Sequence, residues 1–121
     1  MIGIDTVLIS RIQKAIESEA FVKRVFTAVE QSYCNKKANP AESYAGIFCA
    51  KEAAVKALGV GFGRGMAPSD IVVTHTQAGA PVLKFYRGAA ELFKLYNSSV
   101  SISHDGDYAV AAVELCRKGD S

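Results

Sequence analysis

PAESYAGIFCAKEAAVKALG, Pro40 to Gly59, is the stretch that decides the fold. It opens with helix-start chemistry: Asn39 as the cap, Pro40 at the first helical position and Glu42 in the first turn. Gly59 suits a left-handed stop. At about 100° per residue, Tyr44, Ile47, Phe48, Val55 and Leu58 gather on one side, and Gly46, Ala50, Ala53 and Ala57 on the other. No broad polar face remains. The spacing therefore predicts a long, central, buried helix whose small side admits close approach of another backbone or helix. Three charges stand on it nonetheless. Glu52 and Lys56 are four apart and share a flank near Ala45 and Cys49, while Lys51 falls inside the large apolar stripe. Exposed, a pair four apart contributes only about 0.3–0.5 kcal/mol. In a buried helix a charge is costly without a partner, so the Glu52–Lys56 flank is a candidate site.

Outward from this helix, Met1 to Ile9 reads as a buried strand. Ser10 is placed to cap a helix over about Arg11 to Glu17, and Glu19 to Phe26 reads as a second helix. Thr27 and Glu30 form a T-x-x-E capping box for a helix reaching about Lys37. On the C-terminal side, Ile71 to Thr76 and Pro81 to Tyr86 flank QAGA as a hairpin. Arg87 to Tyr96 reads as a short amphipathic helix, and Val100 to Ser103 and Tyr108 to Leu115 as strands around HDGD. The order predicts an α+β fold, a mostly antiparallel sheet packed on the long central helix with shorter helices beside it. Residues 1–121 carry no repeat, low-complexity stretch or linker, and read as a single domain.

Composition narrows the class. Half of the 121 residues are hydrophobic and 21% are charged, an ordinary globular balance. A net charge of +2 does not suggest nucleic-acid binding. Cys34, Cys49 and Cys116 show no C-x-x-C spacing, and His75 and His104 pair with none of them, so they read as free buried thiols rather than zinc ligands. No apolar run approaches the roughly 20 residues of a membrane span, and the N-terminus lacks a signal peptide's basic start and small-residue cleavage site. A soluble cytoplasmic protein, with no membrane or nucleic-acid partner, is expected.

Three further features bear on chemistry. Asp5 lies among Ile2, Ile4, Val7 and Leu8, which read as core. Its carboxylate either caps a turn at the strand end or forms half of a metal site with Glu52, if the helix packs on this strand. Two carboxylates completed by phosphate and water suit Mg²⁺. GVGFGRG, Gly59 to Gly65, follows a helix rather than preceding one, so it is no dinucleotide or P-loop fingerprint. It is either a connector or a place of close backbone approach to a ligand, with Arg64 or Lys56 supplying positive charge. In SISHDGDYAVA, Ser101 to Ala111, Ser103 and His104 are adjacent on a strand and point apart, which is no triad arrangement.

Taken together, GID at Gly3 to Asp5, FCAKEAAVKALGVGFG at Phe48 to Gly63 and SISHDGDYAVA resemble, in order and spacing, the signatures of the holo-[acyl-carrier-protein] synthases, the short 4′-phosphopantetheinyl transferases. The likeness covers nearly the whole chain. It implies the α+β phosphopantetheinyl transferase fold, with Mg²⁺ on Asp5 and Glu52, coenzyme A (CoA) as co-substrate and the signature lysine at Lys56. It implies transfer of phosphopantetheine from CoA to a serine of apo acyl carrier protein, with adenosine 3′,5′-bisphosphate released. Asp5, Glu52 or a water is the base for the serine, and Lys56 stabilises or protonates the leaving bisphosphate. Lys56, Gly59, Gly61, Gly63, Ser103 and His104 would line the CoA pocket. Arg11 and Lys14, three apart on the first helix, would dock the acidic carrier protein, with Lys23 a solvated charge. The small side of the long helix would lie in a subunit interface of a homotrimer with active sites between subunits, and Lys51 would reach a CoA phosphate or a carboxylate across that interface. The chain departs from the family pattern twice. Ile47 stands where an arginine often precedes the signature phenylalanine, and Gly79, Ala80, Pro81 stand where G-K-P is frequent, both at positions near CoA phosphates or adenine.

Overall fold

The computed structural model describes residues 1–63 and 65–119; Arg64, considered above as a positive charge beside the glycine loop, lies outside the described residues. The order is β1 (Ile2–Leu8), α1 (Ile9–Ala15), α2 (Glu19–Val25), α3 (Ala28–Asn35), α4 (Pro40–Leu58), a short 3-10 turn (Pro68–Asp70), β2 (Ile71–His75), β3 (Pro81–Phe85), α5 (Arg87–Phe93), β4 (Tyr96–Asp105) and β5 (Tyr108–Arg117). All pairing in the named strands is antiparallel: a three-stranded sheet β1-β5-β4 and a two-stranded ribbon β2-β3. The expected α+β fold around a long helix is the one observed.

Helix α4 has the predicted ends. Pro40 sits in its first turn, and Gly59, at φ 81°, closes it with its N–H on the Val55 carbonyl at 2.9 Å. Asn39 gives no side-chain cap. Ser10 is not a cap either, because α1 begins directly from β1 with Leu8 at that position. The Thr27 box forms as read, with Thr27 N–H donating to Glu30 Oε1 at 2.8 Å and Glu30 N–H to Thr27 Oγ1 at 3.3 Å. Helix α5 stops at Phe93, and Tyr96 already belongs to β4.

The small side of α4 lies on its own sheet, not on another subunit. A Cβ on Gly3 would stand 2.0 Å from the Ala53 carbonyl oxygen, and one on Gly46 would stand 2.7 Å from Ile102 Cγ2. Backbone and helix therefore touch at Gly3, a contact only glycine allows. This contact sets the facing of β1. Gly3 and Val7 are buried with Asp5 between them, while Ile2 and Ile4 are 66% and 57% exposed. The reading of Ile2 and Ile4 as core is thus corrected: strand alternation turns them outward once Gly3 must turn inward. The larger side of α4 packs on α1, α3 and β2, with Tyr44 edge-on to Phe26 and Phe48 beside Phe21.

Lys51 is fully buried among these apolar groups, and its partner is within the chain. Its ammonium donates to Glu30 Oε1 at 2.9 Å, to the Pro68 carbonyl at 3.0 Å and to the Ile71 carbonyl. Three acceptors match the three protons of an ammonium. Burial lowers the Lys51 pKa and Glu30 opposes that shift. Glu30, also fully buried, accepts in addition from Val73 N–H at 2.8 Å. Neither a CoA phosphate nor a cross-subunit carboxylate holds Lys51. Cys34 and Cys49 are buried thiols, and burial pushes both up to about 12, whereas Cys116 is exposed rather than buried.

Removing one partner of a buried ion pair strands the other charge. Lys51→Met is expected to cost about 3–5 kcal/mol, read as a lower urea midpoint. A loss below about 1 kcal/mol would mean that the pair is solvated in solution.

Candidate active site

Two residues beyond Gly3 on the same face of β1, Asp5 meets the end of α4. Lys56 Nζ lies 2.8 Å from Asp5 Oδ1 and 3.3 Å from the Ile4 carbonyl oxygen. Asp5 is mid-strand, opposite Ala111 of β5, so it is not a turn cap at a strand end. The side chain of Asp5 is 15% exposed and that of Lys56 is 52% exposed, which makes one wet side and one dry side. Glu52, one turn before Lys56, is half-buried, and its carboxyl is pushed up by burial first and then by the Asp5 charge, with Lys56 opposing. Lys56 is held above its ordinary value by the hydrogen bond to Asp5, so it is a standing cation at neutral pH. Cys49, on the same flank, donates to the Ala109 carbonyl at 3.6 Å, and Asp5 adds to the burial that raises its thiol. Asp5, Glu52 and Lys56 are therefore brought together, as two carboxylates and one cation at the C-terminal end of a helix.

Gly59, Gly61 and Gly63 continue from that end as an exposed loop with no atom crowding a Cβ at any of the three. The loop closes by a bridge from Gly63 to Met66.

His104 lies farther along, near the other end of α4. Its Nε2 is 3.1 Å from Glu42 Oε1, and both line a cleft of about 430 Å³ with Tyr33, Lys37, Ile47 and His75. Gly79 and Pro81 form its rim, so both positions of family departure adjoin this one cleft. Glu42 and Glu52 are ten residues apart, about 15 Å along the helix at 1.5 Å per residue. Ser103 points to the other face of β4, with exposed Ser99 and Ser101, and does not meet the cleft within the chain. Arg11 and Lys14 are exposed on α1, away from the buried Ile12. Lys23 is a solvated charge paired with Glu19 at 3.1 Å.

The sequence reading missed Glu42, Tyr33, Lys37 and His75 as lining groups. Glu42 looked like first-turn chemistry. Its spacing of seven from Cys49 and fourteen from Lys56, which keeps all three on one flank, was the available signal.

A helix-borne carboxylate and lysine facing a strand carboxylate, with an open cleft farther along the same helix, describe a small transferase site on an α+β frame. Residues 1–113 match the 4′-phosphopantetheinyl transferase superfamily, and the chain belongs to that family. Within it the chain stands with the holo-[acyl-carrier-protein] synthases, and is an enzyme of that kind. It is 43% identical over 119 residues to the holo-[acyl-carrier-protein] synthase of Trichlorobacter lovleyi, covering 94% of each chain. It is 47% identical over 114 residues to that of Clostridium tetani, covering 91% of this chain and 90% of the other. The solved holo-[acyl-carrier-protein] synthase of Helicobacter pylori, in complex with coenzyme A, superposes with a TM-score of 0.86 at 36% identity, over 96% of this chain and 100% of that one.

The Glu52 shift has a stability consequence. Its folded pKa is raised, so the folded state holds the proton more tightly, and stability falls as pH rises through the folded Glu52 range. Glu52→Gln is therefore expected to raise the thermal midpoint of the metal-free protein at pH 7 and to leave it nearly unchanged at pH 4, where wild-type Glu52 is protonated. A destabilised Gln variant at pH 7 would contradict the reading.

Proposed function

We propose that the chain, acting as one domain, transfers the 4′-phosphopantetheine of CoA to a serine hydroxyl of apo acyl carrier protein and releases adenosine 3′,5′-bisphosphate. We place it in the cytoplasm, in fatty acid biosynthesis, with Mg²⁺ as cofactor. The observation that carries this reading is the Asp5–Glu52–Lys56 cluster, two carboxylates whose mutual repulsion a cation relieves.

The donor set fits Mg²⁺. Asp5 and Glu52 offer hard oxygen ligands that would hold the ion, with phosphate and water oxygens filling the rest of its shell. When bound, the ion supplies charge neutralisation on the diphosphate and a template for in-line attack. The serine oxygen forms a bond to the β-phosphorus as the bond from that phosphorus to the bridging oxygen breaks. Glu52, Asp5 or a water beside them takes the serine proton. Lys56 stays protonated beside Asp5, the form that stabilises the leaving bisphosphate electrostatically and can also donate a proton to it. The glycine loop leaves room for the pantetheine arm. The cleft about 15 Å away along α4 takes the nucleoside end, with His104 fixed by Glu42 at 3.1 Å.

Arg11 and Lys14 on the exposed side of α1 offer a basic dock for the acidic carrier protein. The outer face of the three-stranded sheet carries Ile2, Ile4 and Tyr108, all more than half exposed, opposite Glu114, Ala112 and Leu8 in register. Such a face is suited to burial against further copies of the chain, which supports a homotrimer with active sites at subunit boundaries.

Incubation with CoA, Mg²⁺ and apo acyl carrier protein should add the mass of one phosphopantetheine to the carrier, and chelator or Glu52→Ala should abolish the gain. Absence of the gain on every carrier protein tested would sink the reading. Lys56→Ala should lower turnover by roughly 10²–10³-fold with a much smaller change in CoA affinity, as measured by single-turnover kinetics and calorimetry. Ile4→Glu should shift the sedimentation coefficient from trimer toward monomer with unchanged far-UV circular dichroism.

A further inference from the structure

The cleft near the N-terminal half of α4 is where this chain and its family pattern part. The pattern often has an arginine at position 47 and a lysine at position 80; here both are aliphatic, and Ile47 is 1% exposed. The cleft has nonetheless kept a positive charge, on its opposite wall. Lys37, just beyond the end of α3, holds its Nζ 4.6 Å from the centroid of the Tyr33 ring. The His75 ring stacks on Tyr33 at 3.7 Å between centroids, with the planes 9° apart. All three groups line the same cavity.

Glu42, which also faces this space, is engaged with His104, whose Nε2 lies 3.1 Å from Glu42 Oε1. Lys37 forms no ion pair among the described residues. Its ammonium is held by an aromatic face, an arrangement that fixes a cation in place without neutralising it. Burial and the nearby Lys37 lower the His75 pKa, so at neutral pH His75 is an uncharged partner for the stack. A lysine presented as a point charge at the rim of a nucleotide-sized cleft suits a phosphate monoester.

We propose that Lys37, positioned by the Tyr33–His75 stack, is the residue that recognises the 3′-phosphate of the CoA nucleotide in this chain. The proposal rests on the reading that the cleft takes the nucleoside end of CoA. It makes the side of the cleft formed by α3 and β2 the determinant of discrimination between CoA and its analogue lacking the 3′-phosphate.

The test is calorimetric affinity for CoA and for 3′-dephospho-CoA, with Mg²⁺ present. Wild-type protein should bind CoA about 10- to 100-fold more tightly, the usual range for a hydrogen bond to a charged group. Lys37→Gln should weaken CoA by that factor, hold dephospho-CoA within about twofold, and so bring the ratio near one. Adding Ala80→Lys, an exposed hairpin substitution, to Lys37→Gln should restore part of the preference. Equal weakening of both ligands by Lys37→Gln, or an unchanged ratio, would overturn the assignment while leaving the transferase reading intact. Wild-type protein that binds neither ligand and modifies no carrier protein would overturn both.

Discussion

The structure depends on how closely strand β1 approaches helix α4. Gly3 permits backbone contact with Ala53 and Ala57, at a separation where any Cβ would collide with the helix. Because strand side chains alternate, bringing Gly3 inward also brings Asp5 inward. Because the rise along β1 is fixed, Asp5 arrives at the last two turns of α4, where Lys56 and Glu52 stand. One close approach thus builds the core and assembles the site. The tripeptide GID is a packing instruction as much as a chemical one.

The site holds charge that the fold alone would avoid. Two carboxylates and a lysine share one partly dry end of a helix, and the raised Glu52 shows that repulsion and desolvation are not fully offset by Lys56. Groups kept out of their ordinary titration range by neighbours and burial are what phosphoryl chemistry uses, and such groups come at some cost to stability. Elsewhere the chain avoids that cost: its other deeply buried charges, Glu30, Lys51 and Asp70, all have hydrogen-bond partners.

Much of this was legible in the sequence because it rests on local rules. The Pro40 start and Gly59 stop of α4, the Thr27 capping box, the hairpin over QAGA and the shared flank of Glu52 and Lys56 follow from periodicity and local chemistry, and each is seen, although Asn39 makes no side-chain cap. What was not legible was set by contacts distant in sequence. Ile2 and Ile4 were read as core because they are apolar, yet the helix contact at Gly3 turns them outward. Glu30 was read as half of a cap, and nothing local shows that it also holds Lys51, 21 residues away, and Val73, 43 residues away. The cleft stayed hidden for the same reason: Tyr33, Glu42, His75 and His104 come from four elements and carry no common spacing.

Lys51 precedes Glu52 in the chain, and on a helix adjacent residues point about 100° apart. Three hydrogen bonds fix the Lys51 ammonium to α3, to the 3-10 turn and to the start of β2. α4 therefore cannot roll about its own axis without breaking a buried ion pair. Lys51 acts as an index pin, and the angle at which Glu52 faces Asp5 is set from a different side of the helix, about 100° away.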